Sequence, residues 1–397
     1  MEHVHDYLIV GAGMAADAAA KAIHETDAAA DVAVVGAEAA PPYQRPPLSK
    51  ALWKGDKQVA DIDLGTAASG AKLYTGRRVV ALDRAAHVVR DGQGDSYRYR
   101  RLLLATGATP RRLPFEGGDR IIHFRTLDDY QRLRHYAQPG AIVAVIGGGF
   151  IGAELAASLC GVGCKVCMLF PDAHIGAGRY PDGLARHLDD YYRQRGVDVR
   201  SGVRVTGGRL TDGGVELGLS DGSLLRVEAA VAGLGVTPNV ALAEQAGLAV
   251  DNGIVVDAQL RSSDPDVWAA GDVANFHNPA LDRRLRVEHE DAAVSMGHHA
   301  GRAMAGIAAS YDTLPFFYSD LFDLGYEAVG LLDTRLDVVE DWREPNREGV
   351  VYYLEHGRVR GVLLWNTWDQ VDAARALIAE AGPFDAATLH GRLPRNA

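Results

Sequence analysis

Twice along this chain an apolar, strand-like run breaks at a glycine-rich turn and resumes as a helix-forming run, and that duplication limits the fold more than any other feature. The first copy reads as a strand from Tyr7 to Val10, then Gly11-Ala12-Gly13-Met14-Ala15-Ala16, then an alanine-rich helix to about Ala30. A second strand follows at Val32 to Val35, with Glu38 just beyond it. The second copy reads as a strand from Ala141 to Ile146, then Gly147-Gly148-Gly149-Phe150-Ile151-Gly152. A helix starts over Ala153 to Leu159, and a strand from Cys164 to Phe170 leads to Asp172. In such a turn the first glycine makes the bend, the second lets backbone approach a pyrophosphate, and the third small residue lets helix and strand pack closely. The helix N-terminus then offers free N–H groups and a partial positive charge to phosphates. One copy is weak evidence, because any glycine-rich strand-to-helix turn matches it; two copies in matching context are far more specific. The units also close alike, on ATGATP ending at Thr109-Pro110 and GLGVTP ending at Thr237-Pro238. Two dinucleotides are therefore expected, one held permanently and one exchanging. Flavin and nicotinamide are the pair that pass a hydride directly between them.

Charge and composition narrow the partners. At 397 residues the chain has room for two or three domains, and its net charge of −11 argues against nucleic acid. The chain begins MEHVHDYLIV, which runs straight into a strand and a glycine turn, so no secretory leader is expected. Ala141 to Leu159 is nearly uncharged and about as long as a membrane span, but it contains the glycine turn and Glu154, which favours strand-turn-helix. No membrane association is expected. Three cysteines, Cys160, Cys164 and Cys167, point to a reducing, cytoplasmic setting. Cys164 and Cys167 form a CxxC, but in CKVCMLF it reads as part of a buried strand whose residues three apart face opposite ways, not as a redox pair or metal site. His298 and His299 are adjacent and diverge on a helix, so they and His289 predict no metal centre.

Beyond the two turns the sequence resembles the FAD-dependent pyridine nucleotide oxidoreductases, and within them the ferredoxin reductase and apoptosis-inducing factor-like branch. The likeness rests on PPYQRPPLSKALW at 41–53, LLLATGATPR at 102–111, GGGFIGAELA at 147–156 and LFPDAHIGAG at 169–178. It continues through VWAAGDVANF at 267–276, RVEHEDAAVSMGHHAGRAMAG at 286–306, YSDLFDLGYEAVGLLD at 318–333 and GVVYYLEHGRVRGVLLWN at 349–366. It implies an α/β fold: two Rossmann-like dinucleotide-binding domains of the glutathione-reductase kind plus a small C-terminal α+β domain. The FAD domain would be discontinuous, 1–110 and 236–305, with the NAD(H) domain at 111–235 and the α+β domain at 306–397. That last domain should alternate strands such as Gly349 to Tyr353 and Val359 to Trp365 with a helix from Gln370 to Ala381, and is a possible homodimer face.

The resemblance also implies roles for single residues. The turn residues Gly11, Gly13, Ala15 and Ala16 would hold FAD, and Gly147, Gly149, Phe150, Ile151 and Gly152 the nicotinamide cofactor. Gly107 and Gly235 join them from the two closing segments. Asp272, following Gly271, would hydrogen-bond the ribityl and phosphate region of FAD, although Asp also serves as a helix N-cap there. Glu38, the sole carboxylate just after the second strand, takes the adenosine ribose, although the family's acid could align with Ala37. Arg45 would contact the FAD phosphates, with Arg125, Thr106 and Val80 as lesser contacts. Lys50 would reach the flavin and pair with Glu154, whose carboxylate would be costly alone on an apolar helix. Glu288 and His289 match a pair beside flavin and nicotinamide. Tyr318 stands where the family has Trp and can still stack on a cofactor ring. Lys50, Glu154 and Tyr318 are the catalytic candidates.

The implied activity is hydride transfer from NADH to FAD, then electrons to a ferredoxin-like or other small electron-transfer protein. The alternative is an apoptosis-inducing factor-like NADH sensor with slow oxidase turnover and NADH-dependent dimerisation. NADPH is the less favoured donor, because Asp172 would accept bonds from ribose hydroxyls but repel a 2′-phosphate; Arg179 lies near enough in sequence to offset that. No cysteine falls in the window at about 40–55 where the family's disulfide reductases and peroxidases carry theirs. Arg283, Arg284 and Arg286 form a local basic run that could dock an acidic carrier; the competing reading is a solvated arginine loop or one paired with Asp282 and Glu290.

Overall fold

The computed structural model describes residues 1–115 and 117–393. These divide into two compact units. The first contains Met1–Arg45, Val59–Thr109 and Thr237–Pro315; the second contains Pro46–Gln58, Pro110–Val236 and the described residues from Phe316 on. The segment 46–58 and the C-terminal sheet thus cluster with the second glycine turn. Residues 394–397 of the expected C-terminal domain lie outside the described residues.

In the first unit the strands run in the order Lys72–Tyr74, Val32–Val35, Glu2–Val10, Ser96–Leu104, Val88–Asp91, Val79–Asp83, and Val267–Ala269 also pairs with Ser96–Leu104. The central pairings are parallel, with Tyr7 opposite Val32 and Leu8 opposite Leu102. Leu8 to Val10, Val32 to Val35 and Leu102 to Leu104 are almost wholly buried, the continuous apolar runs of a sheet covered on both faces. The opening strand starts at Glu2, earlier than its apolar run, because Glu2 to His5 pair with Ser96 to Tyr99. Buried His5 is there satisfied by Asp31 and the Tyr74 hydroxyl. The first helix is Met14–Thr26, shorter than its alanine content predicts. It packs against Glu290–Met304 through a close approach: a side chain at Gly297 would strike the carbonyl oxygen of Ala15, and one at Gly301 that of Ala19.

In the second unit a parallel sheet runs Asp198–Ser201, Lys165–Phe170, Ile142–Ile146, Ala229–Ala232, Ile121–His123. An antiparallel layer, Val205–Thr211, Gly214–Leu219 and Leu224–Val227, shares an apolar cluster with it. The turn after Ile146 opens the helix Phe150–Gly161. The C-terminal part is an antiparallel sheet in the order Phe316–Leu321, Leu324–Gly330, Arg358–Trp365, Glu348–Glu355, Asp337–Glu344. Its helix is Val371–Ala379, two residues short of the sequence expectation at its end. No helix among the described residues is long and apolar enough to cross a membrane.

Replacing Gly301 with Val should destabilise the protein by about 3 kcal/mol, at the upper end of ordinary overpacking, because the obstacle is backbone that cannot rotate away. Chemical denaturation measures it; an unchanged midpoint would show that the two helices can separate at no cost.

Candidate functional site

Each glycine turn is built as a cradle with an open mouth. At Gly11, φ is +113° and a side chain would run into the carbonyl of Ala105, so only glycine allows the bend. The bend is fixed by Gly11 N–H to Val35 O and Ala105 N–H to Val10 O, both 2.8 Å. Gly13 then precedes the helix in extended conformation, with no side-chain cap and nothing within 4 Å of where its Cβ would lie. Ala16 is fully buried beneath it. The second turn repeats the arrangement. Gly147 (φ +123°) faces the carbonyl of Gly233, Gly152 faces that of Gly147, and the position of a Gly149 Cβ is open. Both cradles offer uncapped helix N–H groups to free space, and this fits them to a dinucleotide pyrophosphate.

The first cradle has polar side chains around it in its own unit. Glu38 accepts from Arg45 Nη2 at 2.5 Å and from the Tyr43 hydroxyl at 2.6 Å. Burial opposes the Arg45 charge, but Tyr43, Glu38 and Asp272 outweigh it and raise the guanidinium's pKa. Asp272 therefore belongs to the same group. It lies inside the short 3-10 turn Gly271–Val273, so it does not cap a helix. Gly271 has φ +75°, and its missing side chain lets Ala15 come close. The Thr106 hydroxyl donates to Asn239 O at 2.8 Å, and Gly107 O accepts from Asn239 N–H at 2.9 Å. Val80 is half exposed on Val79–Asp83 and stays outside this hydrogen-bonded group. His289 immediately precedes the helix Glu290–Met304, and Glu288 pairs with Arg286 at 2.6 Å.

In the second unit a buried ionic group adjoins the second cradle. Glu154, on the helix that follows the turn, accepts from the Ser49 hydroxyl at 2.6 Å and the Ser319 hydroxyl at 2.7 Å. Lys50 Nζ is 3.1 Å from Glu154 Oε1 and 4.0 Å from the centre of the Tyr318 ring. Lys50 is the buried residue just before the short helix Ala51–Lys54, not an exposed helical lysine. Carboxylate and π-face together compensate a cation withdrawn from water. Ser319 also lines a small pocket with Gly148, Gly149, Phe150, Arg179 and Tyr180, so the ionic group borders the cradle directly. Ser49 and Ser319 were missed in the sequence; their only signal was adjacency to Lys50 and Tyr318. Arg179 lies 4.5 Å over the Phe150 ring. Asp172 is exposed beyond the strand Lys165–Phe170, and Ile151 is exposed at the helix start. Gly235 (φ +79°) accepts from Arg111 N–H, and Arg125 lies half-buried just before the helix Leu127–Tyr136.

The cysteines form no reactive group. Cys164 and Cys167 are buried, and all three thiols are free. Burial raises the pKa of each, with Cys167 pushed up to about 12. His298 lies 3.2 Å from Glu25, and His299 bonds Ala309 O. Two members of the arginine run, Arg284 and Arg286, brace the backbone around them. Arg284 bonds the carbonyls of Val256 and Asn275 at 2.7 Å, and Arg286 bonds Asp272 O and Glu288.

The profile of the pyridine nucleotide-disulphide oxidoreductase family matches residues 5–297. The ferredoxin–NAD(+) reductase component of the anthranilate 1,2-dioxygenase system of Burkholderia cepacia is 35% identical over 380 residues, covering 94% of each chain. Apoptosis-inducing factor 1 of Dictyostelium discoideum is 31% identical, over 94% of this chain and 78% of that one. Among solved structures, the covalent putidaredoxin reductase–putidaredoxin complex contains a chain that superposes with a TM-score of 0.90 at 30% identity, covering 96% of this chain and 94% of that one.

The open Cβ positions make the cradles separately testable. Gly13→Val and Gly149→Val fit the local backbone and should leave the fold intact. Gly13→Val should lose tightly bound FAD. Gly149→Val should keep it and bind NADH at least about tenfold more weakly, the effect of a clash of roughly 1–3 kcal/mol. Flavin absorbance and NADH titration read the two; the reverse pattern would exchange the cradles. Replacing Cys160, Cys164 and Cys167 together with Ser or Ala should leave flavin reduction by NADH unchanged in stopped-flow absorbance.

Proposed function

This chain belongs to the pyridine nucleotide-disulphide oxidoreductase family, and from that premise we propose that it works as a ferredoxin–NAD reductase. It is an FAD-dependent oxidoreductase that takes a hydride from NADH and hands electrons to a ferredoxin-type carrier. The observation that carries this reading is the Lys50–Glu154–Tyr318 group at the edge of a dinucleotide cradle, in a chain that has a second such cradle.

Gly11, Gly13, Arg45, Glu38 and Asp272 would hold FAD; Gly147, Gly149, Gly152 and Asp172 would hold NADH. Bound FAD accepts two electrons from a hydride donor and releases them one at a time, which suits a one-electron carrier. Glu154 holds Lys50 in place, and Lys50 would supply positive charge to a bound flavin. Tyr318 is partly exposed and would stack on a cofactor ring with a more polar surface than the Trp of the family. Asp172 favours ribose hydroxyls over a 2′-phosphate. Arg179, the one cation lining the cradle's pocket, rests on Phe150.

Relatives matched end to end on both chains carry reductase names, whereas the Dictyostelium apoptosis-inducing factor extends beyond the match. The reductase reading is accordingly preferred to the sensor. A cytoplasmic location suits three free thiols.

Anaerobic NADH should bleach the flavin band, and ferredoxin added afterwards should reoxidise it with the carrier's own spectral change. NADH should exceed NADPH in kcat/KM by at least about tenfold, the scale of one charge repulsion near a protein surface. Reoxidation no faster than by oxygen with every ferredoxin offered would remove the carrier from the reading.

A further inference from the structure

The loop between the strand Lys165–Phe170 and the helix Asp182–Gln194 carries Asp172 at one end and Arg179 at the other. It has no regular structure, yet it is fastened at several points. Asp172 O accepts from Gly202 N–H at 3.0 Å. Gly176 N–H donates to Gly148 O, the middle glycine of the second turn, at 2.9 Å. Arg179 O accepts from the Tyr353 hydroxyl at 2.6 Å.

The remaining fastening is a buried charge. Asp189, on the helix that follows the loop, exposes only 4% of its side chain. Its two oxygens serve consecutive loop residues: Oδ1 accepts from Ile175 N–H and Oδ2 from His174 Nδ1, both at 2.9 Å. A carboxylate is acceptor-only, so His174 must carry its proton on Nδ1. Its Nε2 then faces Asp182 at 3.6 Å, and the ring is only partly exposed. A neutral side chain would pack at position 189 without the desolvation cost of a carboxylate. What the carboxylate adds is a fixed distance between the helix and two consecutive loop residues, directly beside the stretch bonded to the glycine turn.

We propose that Asp189, acting through His174 and Ile175, is the positioning residue that sets both the affinity of the second cradle for the adenosine end of its dinucleotide and its preference for an unphosphorylated ribose. This rests on the reading that Asp172 receives the ribose. Asp172 lies two residues before His174, so releasing His174 and Ile175 frees the carboxylate that must meet two vicinal hydroxyls together. Neither Asp189 nor His174 touches the ligand. The chemical step at the other end of the dinucleotide, beside Lys50 and Glu154, does not depend on them.

The test uses the FAD-loaded full chain, with ADP-ribose as the binding probe in calorimetry and stopped-flow flavin reduction by NADH and NADPH beside it. Asp189→Ala should raise the ADP-ribose Kd about tenfold or more and narrow the NADH-to-NADPH ratio, while the limiting reduction rate at saturating NADH stays within about twofold. His174→Ala should shift Kd in the same direction by a smaller factor, and His174→Asn, whose amide can reach Asp189, should restore most of the loss. If Asp189→Ala does not yield folded protein, His174→Ala decides: an unchanged Kd and cofactor ratio in it overturns the proposal. A drop in the limiting rate with Kd unchanged overturns it as well. Asp172→Ala separates the two levels. If it weakens ADP-ribose while Asp189→Ala does not, the positioning role alone fails. If Asp172→Ala leaves Kd unchanged, the ribose reading itself fails and the inference falls with it.

Discussion

The second unit depends on one buried carboxylate. Glu154 gathers donors from residues 105 and 165 positions away, Ser49 and Ser319, together with the Lys50 ammonium. Four residues along the same helix, the Ser158 hydroxyl bonds Ser49 O at 2.7 Å, so one helix face grips the 46–58 segment twice. This explains a boundary that chain order does not suggest: residues 46–58 and the C-terminal sheet belong to the unit that holds the second cradle. A charge withdrawn from water must collect partners wherever the chain can supply them, and breaking such a pair by removing one member costs about 3–5 kcal/mol. Lys50 is bound by the same logic, since neither the carboxylate nor the Tyr318 ring alone would offset its desolvation.

The two cradles share a backbone but differ in what surrounds them, and the difference matches a retained and an exchanging ligand. Around the first, Arg45, Glu38, Tyr43 and Asp272 form a largely buried polar group whose members already bond or charge-stabilise one another. Such a group loses little side-chain freedom when a ligand arrives, which favours tight and lasting binding. Around the second, Asp172 and Ile151 are exposed, and the mouth is lined by glycines, apolar and aromatic residues, Ser319 and one arginine resting on Phe150. The polar residues expected to meet the ligand's adenosine end are more open there, and an exchanging ligand needs a site that also releases it.

Most of the fold was legible because it follows from strong local patterns. The apolar runs at Val32 to Val35 and Val143 to Ile146 and the glycine turns are fixed by burial on both faces and by backbone crowding, which composition reports directly. The N-terminal extension of the first strand was not legible. Its residues, Glu2-His3-Val4-His5, are mostly polar, and they pair because Ser96 to Tyr99 continue beyond the core, a long-range fact. Gly297 and Gly301 were equally silent. Inside a helix they look like weak points, and their purpose emerges only when Ala15 and Ala19 are found opposite.

The site residues divide along the same line. Turn glycines could be read from the sequence because their chemistry is steric and local. Lys50 and Glu154 needed a partner over long range; the family resemblance paired them, and the cost of burying Glu154 alone on an apolar helix agreed with it. The arginine run shows the converse. Three arginines near a cofactor motif read as a surface charge, but a guanidinium has five donors and an irregular loop has unpaired carbonyls. Arg284 spends its donors on Val256 and Asn275, and Arg286 spends its own on Asn252, Asp272 and Glu288. Arginines so committed brace the loop that carries Asp272. Charge counted along a sequence therefore overstates what a surface can present, and hydrogen-bond accounting decides how much of it is free.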